Sequence, residues 1–155
     1  MEKIEFSTSE VSASLQEIIN AGGHFTLCVS GSSMNPFLVH GRDFVRLKKY
    51  IAQDLKKGRI LLFRRDTGEL VLHRVRRVLP DGSLVMNGDA QVWCETVSPE
   101  QVIAAVSDIE CKGRLFSCSS VKYRAKIFFW QLLFPFRSLI FRVRNKLKRM
   151  INKKD

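Results

Sequence analysis

Past residue 23 the chain is written in short β-rich runs, at 24–30 (HFTLCVS), 43–47 (DFVRL), 59–65 (RILLFRR), 70–79 (LVLHRVRRVL), 83–87 (SLVMN), 102–110 and 114–118. Short strands at this spacing, punctuated by turn residues, restrict a chain of this size to an antiparallel β architecture. Asp66-Thr67-Gly68-Glu69 reads as a hairpin between two runs, and Asp81-Gly82 as a second tight turn. The expectation is one mostly β domain, an antiparallel barrel-like body over residues 24–120. Residues 1–23 precede it as a helical segment. Within it, Val11, Leu15, Ile18 and Ile19 recur at helical spacing over 8–20, Ser7, Thr8 and Ser9 can cap the start, and Gly22-Gly23 ends it. Glu10, Glu17 and several Ser, Gln and Asn interrupt this helix, so it does not read as a signal anchor.

Residues 121–155 change character. Of the 26 Lys and Arg in the chain, 11 fall here beside a single acid, which gives this segment +10 and leaves +1 for the rest. Its first half is apolar and aromatic. The densest stretch, Ile127 to Phe141, is 15 residues long and contains Gln131, Pro135 and Arg137, whereas a bilayer crossing takes about 20 apolar residues. An apolar-basic helix lying in a membrane interface, broken or kinked at Pro135, is the expectation. A polycation of this kind favours anionic lipid on the cytoplasmic face. Cys28, Cys94, Cys111 and Cys118 form no CxxC pair and have no close histidine partner, so reduced thiols and no metal centre are expected.

Chemistry concentrates in SGSSMNPFL (30–38), directly after a strand-like run. A hydroxyl nucleophile needs a tight turn that exposes Oγ and lets backbone N–H groups approach an oxyanion, and Gly31, Ser32 and Ser33 allow one. The same residues also suit an ordinary strand-ending turn. Such a serine is inert without a base. His24 and His40 read as surface residues, while His73 interrupts an apolar run, sharing a face with Val71, Val75 and Leu79. The hairpin around His73 contains no lysine, and its arginines stay protonated, so a base from this strand is His73. A core histidine with a hydrogen-bond partner is the plainer alternative.

In combination these blocks resemble the superfamily that unites type I signal peptidases with self-cleaving repressors of the LexA type, and within it the histidine-using branch typified by endoplasmic-reticulum and archaeal signal peptidases. SGSSMNPFL is similar to the nucleophile box, mapping the nucleophile to Ser33 with Met34 and Pro36 following. LVLHRVRRV (70–78) is similar to the base box and maps the base to His73. VMNGDAQ (85–91) is similar to the Gly-Asp box and maps Asp89 to an acid near the histidine, although an Asx turn accounts for Asp89 equally simply. The likeness spans roughly residues 24–110. It implies a serine endopeptidase working by a Ser-His dyad without cofactor or metal, on a peptide substrate with small residues before the cut. Gly31 stands where many bacterial members have a hydroxyl side chain, so the oxyanion hole would rest on backbone N–H groups such as that of Ser33, with the Ser32 hydroxyl beside them.

Two rival readings remain. A self-cleaving regulator would cut a small-residue bond such as Ala21-Gly22, but too few residues precede that bond for a DNA-binding domain. A non-enzymatic basic protein binding nucleic acid through the tail would leave Phe128, Phe129, Trp130, Leu132, Leu133 and Phe134 without a role, so nucleic acid is not the expected partner.

Overall fold

A computed structural model describes residues 8–151 of the chain. Helix α1 (Thr8–Asn20) is followed by β1 (Phe25–Cys28), β2 (Phe44–Lys48), β3 (Ile60–Arg64), β4 (Leu70–Val78), β5 (Leu84–Asn87), β6 (Glu95–Val97), β7 (Val102–Cys111) and β8 (Arg114–Ser117), then helices α2 (Val121–Leu132) and α3 (Arg137–Ile151). The eight strands form one antiparallel sheet in the order β1-β2-β7-β3-β4-β5-β6, with β8 also paired to β7. The body is therefore mostly antiparallel β with a short N-terminal helix and C-terminal helices, as the strand spacing implies. The sheet does not close into a barrel: β1 and β6 stand at its two ends and do not pair with each other.

Both turn signals form as their residues dictate. Between β3 and β4 the chain reverses through Gly68, whose φ of 86° needs glycine, and Arg65 N–H donates to the Glu69 carbonyl at 2.9 Å. Between β4 and β5 the Asp81 carboxylate accepts from Ser83 N–H at 3.0 Å.

Alternation along the strands sorts side chains into two cores. On one face Ile60 and Leu62 of β3 join Val45, Leu47, Ala104, Val106 and Ile109, covered by Leu15 and Ile19 of α1 and by Met34 and Leu38. On the other, Leu61 and Phe63 pack with Val71, Val75, Leu84, Met86 and Val97. His73 pairs across the ladder with Leu61 and so belongs to the second face. Its neighbour Arg74 points to the first.

Helix α2 does not hang off this body. Ile127 and Gln131 are buried, Gln131 Nε2 donates to the Val75 carbonyl at 3.0 Å, and Trp130 Nε1 donates to the Asp89 carbonyl at 3.1 Å. The break expected at Pro135 is present as a 3-10 turn, Phe134–Phe136, between α2 and α3. Residue 120 thus marks a change of secondary structure within continuous packing.

Candidate functional site

A cleft of about 770 Å³ crosses the sheet where two strand edges lack partners. β1 is an end strand, and β4 pairs with β5 only from Arg74 onward. Leu27 and Cys28 of β1 and Leu70–His73 of β4 line the cleft together with Gly31, Ser32, Ser33 and Met34. Ser33 and His73, separated by 40 residues of sequence, therefore share one cavity.

The serine turn is held from three sides. Gly31 has a φ of 79°, open to glycine at little cost, and its N–H donates to His40 Nδ1 at 3.0 Å. Met34 is buried in the core, and its carbonyl accepts from both Phe37 N–H and Leu38 N–H, which pins the turn after Ser33. The Ser33 carbonyl accepts from Ala90 N–H at 2.7 Å. Gly88 makes this last approach feasible, since a Cβ there would lie 2.7 Å from the Ser33 carbonyl oxygen and 2.6 Å from Gln91 Oε1. Ser32 is exposed, and Ser33 partly so. Pro36, at the exposed end of the turn and joined to Asn35 by a cis peptide bond, does not line the cleft.

His73 is 1% exposed, with the rings of Phe63 and Trp93 at centroid distances of 6.0 and 6.2 Å. Burial pushes its pKa below the ordinary 6.5, against the opposing pull of Glu95. Burial thus favours the neutral imidazole, the state a general base needs. Its Nδ1 lies 3.0 Å from Glu95 Oε1, an ion-pair distance whose angles fall short of a hydrogen bond. Arg65 grips the same carboxylate through Nε at 2.8 Å and Nη2 at 2.7 Å. Burial raises the Glu95 pKa, but the Arg65 contact outweighs it and holds the carboxyl below its usual range.

Asp89 is held in a buried ion pair, and its charge also pulls the His73 pKa upward, as a weaker influence than Glu95. Its carboxylate is bound by Arg74, with Nε at 3.0 Å from Oδ1 and Nη2 at 2.7 Å from Oδ2, and both side chains are 1% exposed. Strand alternation is the reason: Arg74 and His73 lie on opposite faces of β4, and Asp89 goes with Arg74. The carboxylate beside His73 is Glu95. Met86 pairs with Val75 across β4/β5 and Glu95 pairs with Met86 across β5/β6, so Glu95 lies on the face that carries His73.

A further side chain missed in the sequence holds the loop from behind. Arg137, at the start of α3 and 1% exposed, donates to Asn87 Oδ1 and to the carbonyls of Gly88 and Gln91, both at 3.3 Å. Its sequence context, an arginine ending an aromatic run, carries one usable hint: a cation amid Phe and Trp is stabilised by their ring faces, and Trp130 and Phe134 lie 5.0 and 5.1 Å from its guanidinium. Among the described residues no group of three His, Cys, Asp or Glu side chains is gathered as a metal site. Comparisons of the chain with protein-family models, with curated proteins and with solved structures found no match.

Proposed function

We propose that this chain is a serine endopeptidase resembling the histidine-base signal peptidases, with Ser33 as nucleophile, His73 as general base and Glu95 in the acidic role. The observation that carries the reading is the shared cleft: the hydroxyl-bearing turn and the buried imidazole line one cavity between two unpaired strand edges. Those edges suit an extended peptide, which would add as a strand beside Leu70–His73 and carry its scissile carbonyl past Ser33. His73 takes the Ser33 proton as Oγ bonds to the carbonyl carbon. Backbone N–H groups such as that of Ser33, with the Ser32 hydroxyl, stabilise the oxyanion. The imidazolium, stabilised by Glu95, returns the proton to the leaving amine as the C–N bond breaks, and water then hydrolyses the acyl-enzyme.

Cleavage of a peptide library with Ala or Gly before the cut, read by mass spectrometry, tests this. Ser33→Ala removes a partly exposed hydroxyl and no core volume, so it is expected to abolish cleavage with an unchanged unfolding midpoint. His73→Lys is expected to leave weak activity with an alkaline-shifted profile, because a desolvated lysine serves as base only once deprotonated. Full activity in Ser33→Ala or in His73→Ala would overturn the reading.

A further inference from the structure

Helices α2 and α3 carry apolar side chains that the fold leaves outside. On α2, Tyr123, Ile127, Trp130 and Gln131 face the sheet, while Val121, Phe128, Phe129 and Leu132 on the opposite side are between 56% and 78% exposed. On α3, Leu139, Val143, Leu147 and Met150 recur at helical spacing, each more than half exposed. Lys122 and Arg124 flank the first stripe, and Arg142, Lys146 and Arg149 the second, all of them exposed. Beside α2 a cavity of about 620 Å³ opens against the 56–59 segment, rimmed by Lys56, Lys57, Arg59 and Arg124 and walled by Val121 and Phe128. Among the described residues no Asp or Glu lines it. Arg59 Nη2 reaches Asp54 at 3.2 Å, while its Nε is buried without a hydrogen-bond partner.

We propose that this face docks in-plane on an anionic phospholipid bilayer, the apolar stripes entering the acyl boundary and the basic cavity taking a lipid headgroup. The inference stands independently of the peptidase chemistry. Charge complementarity selects the occupant. A second copy of the chain would set one +10 segment against another, and nucleic acid would match the cations while leaving the Phe, Leu and Met side chains in water. An anionic membrane surface satisfies both halves. Among the described residues no helix is long and apolar enough to cross a membrane, so the contact is interfacial. The anionic leaflet it fits is the cytoplasmic one.

Vesicle flotation with the full chain tests the proposal, comparing phosphatidylcholine vesicles with and without phosphatidylglycerol. Binding to the mixed vesicles is expected to be strong and to weaken with salt, leaving a salt-resistant remainder from the apolar stripes. Lys56→Gln with Lys57→Gln is expected to weaken binding to the mixed vesicles roughly fivefold for each charge removed. Val143→Glu with Leu147→Glu, both on exposed positions of α3, is expected to abolish flotation with the unfolding midpoint unchanged. Equal binding with and without phosphatidylglycerol would overturn the proposal. So would an absence of flotation by the wild-type chain, a dimer in vesicle-free solution that Leu147→Glu dissolves, or duplex DNA retention that survives the α3 substitutions without vesicle binding.

Discussion

The protonation of His73 follows from burial against Phe63 and Trp93 first and from Glu95 second. Because its folded pKa lies below 6.5, the acid limb of kcat/KM is expected below pH 6.5. Glu95→Gln removes a charge that raises this pKa, so the limb is expected to move further down, with a fall in rate as the imidazolium loses its counter-charge. The same depression makes stability pH-dependent: below pH 6.5 the unfolded chain protonates His73 while the folded one does not, so stability falls as pH drops from 6.5 toward the folded value. Asp89→Asn separates the two carboxylates. It leaves the Arg74 guanidinium buried without its partner, at a cost of about 3–5 kcal/mol in urea unfolding, a loss typical of breaking a buried pair. An Asp89→Asn protein of native stability whose acid limb moves as far as that of Glu95→Gln would assign Asp89 to the histidine after all.

At the level of elements, the strand-like runs were legible because each is β-branched or aromatic and bounded by Gly or Asp turns, and α1 was legible from its apolar spacing. β6 was not. Glu95-Thr96-Val97 is three residues long and runs into Ser98-Pro99, so it offers too little alternation to register as a strand, and its pairing with β5 is a long-range fact. Missing that strand meant missing Glu95 and with it the local electrostatics of the site. The serine and histidine blocks were readable because their chemistry is local, whereas the partner of Asp89 depends on which face of β4 each side chain takes. The juncture of the Ser33 turn with the 87–91 loop is a prediction in itself. Gly88→Ala places a Cβ 2.7 Å from the Ser33 carbonyl oxygen, a backbone atom that cannot rotate away. The loop is expected to retreat and release the Ala90 N–H bond, lowering kcat/KM by about tenfold or more, since small misplacements near the chemistry are costly. Thermal unfolding shifted by several degrees with kcat/KM intact would mean that the contact serves folding alone.

Over the whole molecule, the tail presents two apolar faces, one turned to the sheet and one to the outside, with the exposed Lys122, Arg124 and Lys126 of α2 beside them. Two truncations distinguish them. A chain ending at residue 120 loses Ile127 from the core, about 2–4 kcal/mol by the usual cost of removing a large buried aliphatic side chain. It also loses the Tyr123 hydroxyl that lies 3.2 Å from Arg74 Nη2, and the Arg137 contacts that hold Asn87 and Gly88. That protein is expected to unfold at markedly lower urea concentration and to lose peptide cleavage. A chain ending at residue 142 keeps all of these, together with Phe141, whose ring lies 6.5 Å from that of Trp130, and removes Val143, Leu147 and Met150. Its unfolding midpoint and its cleavage of a short soluble peptide are expected to stay near those of the full chain, while its flotation with anionic vesicles falls sharply. The contrast rests on Arg137: were the chain ending at 120 as stable and active as the one ending at 142, the buried guanidinium and α2 would be ornaments on a body complete without them, and the packing of Asn87 to Gln91 would have to be maintained by β4 and β5 alone.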